Sequence, residues 1–215
     1  MIPKTIHQMW VGSEVPAHIA TYTETWRNLH PDWEFLFWDE ETIVGLGLAN
    51  RDLYQNAHAI APRAPAQFAA DVVRYEVLYS YGGVWVDADF ECQRPIDGLI
   101  GGLTDLTGWL VWEVEGIWLN NAIMAMPAGH SLMRDAIDKL PANIEAKEPA
   151  TNSVLSGPQF ITPLALTTTD PVMYLPKDYF YPYLWNELDR GGESFPDAFA
   201  VHHWNNQRTR RNKPR

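Results

Sequence analysis

A single cysteine, Cys92, stands in 215 residues, so no internal disulfide can form. The expected setting is a reducing one, the cytoplasm. Basic residues are also scarce: 16 Lys and Arg face 27 Asp and Glu, a net charge of −11. That balance excludes a general nucleic-acid binder, which needs a basic face. No apolar run reaches the ~18 residues of a membrane span, and Met1–His7 lacks the apolar core of a secretory leader. Repeats, low-complexity tracts and long linkers are absent, and the length suits one domain. The few basic residues are unevenly placed, with Arg208, Arg210, Arg211, Lys213 and Arg215 in the last eight positions. This tail, 206–215, reads as a solvated terminus or as a weak contact to an anionic lipid surface or a diphosphate.

Aromatic residues, by contrast, are plentiful. Ten Trp supply flat rings that fill cores or stack on bases and sugar faces. Strands are expected at Thr5–Val11, Trp33–Trp38, Val84–Asp89, Thr107–Val114, Asn121–Met126, Val172–Leu175 and Phe199–Trp204. Helices are expected over Pro16–Leu29, from the Asp39 cap toward Leu48, after Asp52, over Ala64–Tyr81, Ser131–Leu140 and Gln159–Thr168. Pro141–Thr151 is polar and reads as a loop. Strands and helices alternate through the first half, which predicts an α/β fold with a mostly parallel central sheet flanked by helices.

The chemistry concentrates at Tyr81-Gly82-Gly83-Val84-Trp85-Val86-Asp87-Ala88-Asp89. Two glycines stop a helix, an apolar strand follows, and two acids sit one residue apart at its end. On a strand, Trp85, Asp87 and Asp89 share a face. Carboxylates aimed together repel unless a cation sits between them, and hard oxygens favour Mg²⁺ or Mn²⁺. The plainer alternative is a turn with two solvated aspartates. Upstream, Asp71 and Arg74 lie at i and i+3, one helical face, as a surface ion pair or as a grip on sugar hydroxyls and phosphate. Trp10 ends the first strand, where α/β sheets bind ligands, and is placed to stack on a base or to fill core. His202 and His203 end the last strand on opposite faces, so at most one joins the same ion, and an imidazole there favours Mn²⁺.

These segments together resemble a known family. Ile2–Trp10, Ala70–Tyr75 and Tyr81–Asp89 are similar to the DXD-containing sugar transferases of glycosyltransferase family thirty-two. Asn120–Ala125, Gly129-His130, Ser156-Gly157-Pro158 and Ala200–Trp204 follow in the family's order. The resemblance implies a single GT-A domain over 1–205, a nucleotide-sugar donor with UDP or GDP, and a retaining transfer to a glycan, lipid-linked or protein hydroxyl. It places Trp10 on the base, Asp71 and Arg74 on the donor sugar, Asp87 on ribose or sugar, and Asp89 on the metal. It makes His202 the C-terminal metal ligand ahead of His203, and sets Asn121 near the reacting sugar face. Trp85 departs from the more usual Tyr or aliphatic residue before the acid pair, which predicts a differently shaped donor pocket.

In the implied mechanism a cation bridges the donor's two phosphates through Asp89 and His202, Arg74 assists, and a phosphate oxygen takes the acceptor proton. No Glu or Asp stands out as a base. Two rivals compete. A haloacid-dehalogenase-type phosphatase also uses a strand ending in D-x-D, but its motif sits near the chain start and needs a later Lys, for which Lys139, Lys147 and Lys177 are poorly placed. A sugar-binding module, or an inactive transferase, accounts for the tryptophans but not for the ordered set Asp71, Arg74, Asp87, Asp89 and His202.

Overall fold

The computed structural model describes residues 1–103 and 105–205; the basic tail expected at 206–215 lies outside the described residues. The central sheet begins with β1 (Thr5–Met9), flanked by parallel β2 (Glu34–Trp38) and parallel β3 (Gly83–Val86). Beyond β3 lie antiparallel β6 (Trp118–Met126), then β5 (Gly108–Val114) and β7 (Val172–Leu175), giving the order β2-β1-β3-β6-β5-β7. Only β6 runs against the others. A second, two-stranded sheet pairs β4 (Phe90–Cys92) with β8 (Ala200–His202).

Strand alternation sorts the side chains into two cores. Val84 and Val86 of β3, with Trp109 and Val111 of β5, join Trp26, Phe90, Phe180 and Tyr181 on one face. Trp85, Leu110, Met124 and Met126 join the helices on the other. There the long helices α5 (Pro65–Tyr81) and α7 (Ser131–Lys147) pack with α9 (Pro158–Thr167), while α1 (Ala17–Leu29) packs against β4. Helices thus cover both faces of a mostly parallel sheet, the α/β architecture expected from the sequence. Six of the ten Trp are buried, so most of the aromatic excess is core.

Several local expectations are corrected. The loop expected at Pro141–Thr151 is helical as far as Lys147, with Pro141 inside α7. A mid-helix proline costs ~3 kcal/mol, but Leu140 and Ile144 extend the buried stripe of Leu132, Met133, Ala136 and Ile137, and their burial offsets that cost. The helix expected from Asp39 to Leu48 is only α2 (Glu40–Val44), opened by a reciprocal Asp39–Thr42 capping box. The segment after Asp52 is two short helices, α3 (Arg51–Gln55) and α4 (Ala57–Ile60). Three short elements were not expected: β4, α6 (Asp97–Ile100) and α8 (Asn152–Leu155).

The double glycine sets the entry into β3. Gly82 and Gly83 have φ of +65° and +98°, and a Cβ on Gly83 would lie 2.6 Å from the Thr5 carbonyl oxygen and 2.9 Å from His7 Nε2. Fully buried His7 fastens this corner: Nε2 donates to the Gly82 carbonyl at 2.8 Å, and Nδ1 accepts from Trp38 Nε1 at 3.3 Å. Burial pushes its pKa down to about 4, against a smaller opposing pull from the Gly82 bond. Below the unfolded value of ~6.5 the unfolded chain binds this proton and the folded one does not, so stability is full above that pH and falls as pH drops toward 4. Between pH 7.5 and 5 this one group is expected to remove ~2 kcal/mol. Urea unfolding of the wild type and of His7→Gln at both pH values checks it, and equal pH slopes would refute it.

Candidate active site

The acid pair sits at the sheet's carboxyl edge, but not as a continuous strand. β3 stops at Val86; the Asp87 N–H still donates to the Ala122 carbonyl on β6 at 2.8 Å, and Phe90 N–H returns to the Asp87 carbonyl at 3.1 Å. The chain turns because β4 leaves to pair with β8, so a turn delivers Asp89, correcting the one-face strand expected for Trp85, Asp87 and Asp89. The same pairing sets Phe90 opposite His202, and their rings stack with centroids 4.3 Å apart. His202 Nε2 lies 3.0 Å from Asp89 Oδ1, and Asn205 N–H donates to Asp89 Oδ2 at 2.8 Å.

Asp87, Asp89 and His202 each present a ligand atom within 4.8 Å of the others. The set fits a divalent cation: two carboxylates at close range need a positive charge, and two oxygens with one imidazole suit Mn²⁺ or Mg²⁺. His203 is not part of it. Its Nε2 pairs with Glu91 at 2.9 Å, its Nδ1 meets the Tyr183 hydroxyl at 3.2 Å, and its ring stacks on Tyr22. Adjacent strand residues face opposite ways, and the structure gives the cluster to His202.

Behind the acids lies a buried ionic knot. Arg74 Nη2 donates to Asp87 Oδ1 at 2.7 Å and lies 3.3 Å from Asp71 Oδ1, while Nη1 bonds the Asn121 carbonyl. The i, i+3 pair is therefore an interior one, with Arg74 1% exposed and Asp71 3%. Ser156 Oγ and Asn121 Nδ2 donate to Asp71 at 2.7 and 2.9 Å. Burial raises the Asp71 carboxyl to about 7 against the pull of Arg74 and these donors. Burial also raises Asp87, opposed by Arg74. Burial acts upward on Asp89 too, but the His202 charge, its hydrogen bond and the Asn205 N–H outweigh it and hold the carboxyl below its ordinary value.

Trp85, expected to shape the donor pocket, is fully buried; its indole N–H donates to Asp87 Oδ1 at 2.9 Å. Arg74 lies over its ring, 5.3 Å from the centroid, so Trp85 and Arg74 together fix Asp87 and leave its Oδ2 unbonded among the described residues. Trp10 is half-buried just past β1, its indole N–H on Ser13 Oγ at 3.2 Å. Asn121 is buried, held between Asp71, the Tyr75 hydroxyl and the Ser156 carbonyl. It turns toward α5 because the β5–β6 register steps from Leu110↔Met124 to Val111↔Asn120, a bulge that reverses the alternation of β6. The sequence reading missed Tyr75 and Asn205 as site residues; Ser156 was visible only within its Ser-Gly-Pro segment.

Comparison with known proteins agrees with this geometry. Residues 16–104 match the model of the glycosyltransferase sugar-binding region containing the DXD motif. Inositol phosphoceramide mannosyltransferase 1 of Schizosaccharomyces pombe is 30% identical over 185 residues, 81% of this chain and 56% of that protein. The chain spans about half the length of the curated relatives it matches, 56% and 37% for the first two. Among solved structures, the galactosyltransferase LgtC with donor and acceptor sugar analogs superimposes with TM-score 0.57 at 14% identity, over 93% of this chain and 86% of that one. The UDP-bound glycosyltransferase domain of the YGT toxin gives TM-score 0.57 at 10% identity, over 80% and 79%. Over residues 16–104 the chain is thus similar to the sugar-binding region of the DXD-containing glycosyltransferases, and its fold is of the GT-A type.

Proposed function

We propose that the protein is a metal-dependent retaining glycosyltransferase. It moves a hexosyl group, mannosyl by analogy with its yeast relative, from a UDP- or GDP-sugar to a hydroxyl on a glycan, lipid-linked or protein acceptor. The observation that carries this reading is the convergence of Asp87, Asp89 and His202 at the carboxyl edge of the sheet. Asp87, Asp89 and His202 would hold the cation, Mn²⁺ or Mg²⁺, which when bound neutralises the diphosphate as its bond to the sugar breaks. Arg74 and Trp85 hold Asp87 in one orientation toward the donor, and Asn121 fixes Asp71 behind it. Trp10 offers its ring to the base. The acceptor oxygen bonds to the anomeric carbon on the face from which the diphosphate departs, and its proton passes to the departing phosphate oxygen, so no protein base is consumed. The cytoplasmic setting expected from the lone Cys92 is part of the same proposal. Cys92 is free and buried, and burial pushes its thiol up to about 12.

A thermal-shift screen of GDP, UDP and their sugars, with and without Mn²⁺, tests the reading. One nucleoside diphosphate is expected to raise the melting temperature by several degrees at ~100 times its Kd, and only with the cation present. Stabilisation by a free glycan alone, with no nucleotide effect, would instead identify a sugar-binding module.

A further inference from the structure

We propose that Glu113 is the acceptor-binding carboxylate of this site, taking a hydrogen bond from a hydroxyl of a polyhydroxylated ring; this rests on the transferase reading above. Glu113 sits near the carboxyl end of β5, on the same sheet edge as the acid pair. The β5–β6 register runs Trp112↔Leu119 and then Val114↔Trp118, so Glu113 is an extra residue in a bulge. Bulges re-aim side chains and gather beside active sites. Asn120, on the partner strand, donates from Nδ2 to Glu113 Oε2 at 2.7 Å and anchors its own Oδ1 on Ala122 N–H at 2.7 Å. One carboxylate oxygen is therefore held in place, while Oε1 has no hydrogen-bond partner among the described residues.

The Glu113 carboxyl is close enough to His202 to feel its charge. Burial raises its pKa, with Asn120 and the His202 charge acting against that. The neighbouring Tyr181 hydroxyl, fully buried, is raised well above 10 by burial, then by the Glu113 and Asp87 carboxylates. The other carboxylates around the cleft are committed: Asp71 and Asp87 to Arg74, Asp89 to His202 and Asn205, Glu91 to His203. Asp87 also keeps Oδ2 open, but that oxygen belongs to the candidate cation cluster; Glu113 lies outside that cluster and outside the ion pairs, anchored through Oε2 with Oε1 open. A half-buried carboxylate in that state discriminates sharply for hydroxyl donors, since a partner lacking the hydroxyl leaves it unsatisfied.

Glu113→Gln separates this role from a structural one, because the glutamine carbonyl can still accept the Asn120 bond while the charge is lost. Free sugar and adduct would be measured from GDP-mannose and UDP-galactose with Mn²⁺, using methyl α-mannoside and myo-inositol as acceptor probes. The expected result is unchanged melting temperature and nucleotide-induced shift, donor hydrolysis by water within about twofold of wild type, and transfer kcat/KM for the acceptor lowered roughly 10- to 100-fold through KM. Transfer and hydrolysis that fall together, or transfer that does not fall, would overturn the assignment; so would a wild type that hydrolyses donor yet glycosylates neither probe. A wild type with no nucleotide-induced shift and no donor hydrolysis would instead sink the transferase reading itself.

Discussion

Asp89→Asn is expected to lower donor turnover by at least about a hundredfold while leaving the fold standing. The asparagine oxygen keeps a partner for the Asn205 N–H, so the loop after β8 stays anchored, but the negative charge opposite His202 is gone. Because His202 and Asn205 hold the Asp89 carboxyl below its ordinary pKa, it is ionised throughout the neutral range, as the proposed cation site requires. The substitution should also abolish the Mn²⁺ dependence of nucleotide binding. Steady-state kinetics, with a melting curve as the control, decides the matter: full activity in a folded Asp89→Asn protein would remove the acid pair from the mechanism.

Arg74→Met is expected to cost stability on the scale of ~3–5 kcal/mol, because it leaves Asp71 and Asp87 buried without their counter-charge. The pH dependence carries the signature. With the guanidinium gone, both folded-state carboxyl pKa values rise further above their unfolded values. The folded variant then takes up protons that the unfolded chain does not, so its stability increases as pH falls through those raised values. Denaturant unfolding at pH 7.5 and 5 should show a smaller deficit against wild type at the lower pH. Asp71→Asn in the Arg74→Met background should recover part of the loss, since one buried charge is removed outright. A deficit independent of pH would mean that Arg74 acts through packing over Trp85 and not through charge.

The parts of this site visible in the sequence are those governed by local periodicity. Asp71 and Arg74 announce their shared face by helical spacing, and Gly82-Gly83 announces the turn into β3 by composition. The joining of Asp87, Asp89 and His202 was legible through the resemblance, and its geometry follows from β4 pairing with β8. What escaped reading depends on pairing between distant strands. Nothing in Trp112-Glu113-Val114 reveals a bulge, because a bulge exists only relative to the register of β6. The turn at Ala88 was hidden for the same reason: an apolar run followed by D-x-D reads as one strand until the second sheet draws Phe90 away. Trp85 looked like a pocket wall because a strand residue has two faces to choose from, and its burial beneath Arg74 is decided by α5. Pro141 misled in the other direction, since a strong local breaker was overridden by the apolar stripe on either side of it.

The small β4–β8 sheet has a consequence for the life history of the molecule. Asp89 meets its imidazole 113 residues further on and its backbone clamp 116 residues further on. A nascent chain therefore carries both aspartates out of the ribosome long before the histidine exists, and spends that interval with the doublet open on one side. The cluster closes only once β8 has been made and has paired with β4, so a chain cut short before that strand would hold Asp87 and Asp89 without their imidazole, however well its earlier helices had packed.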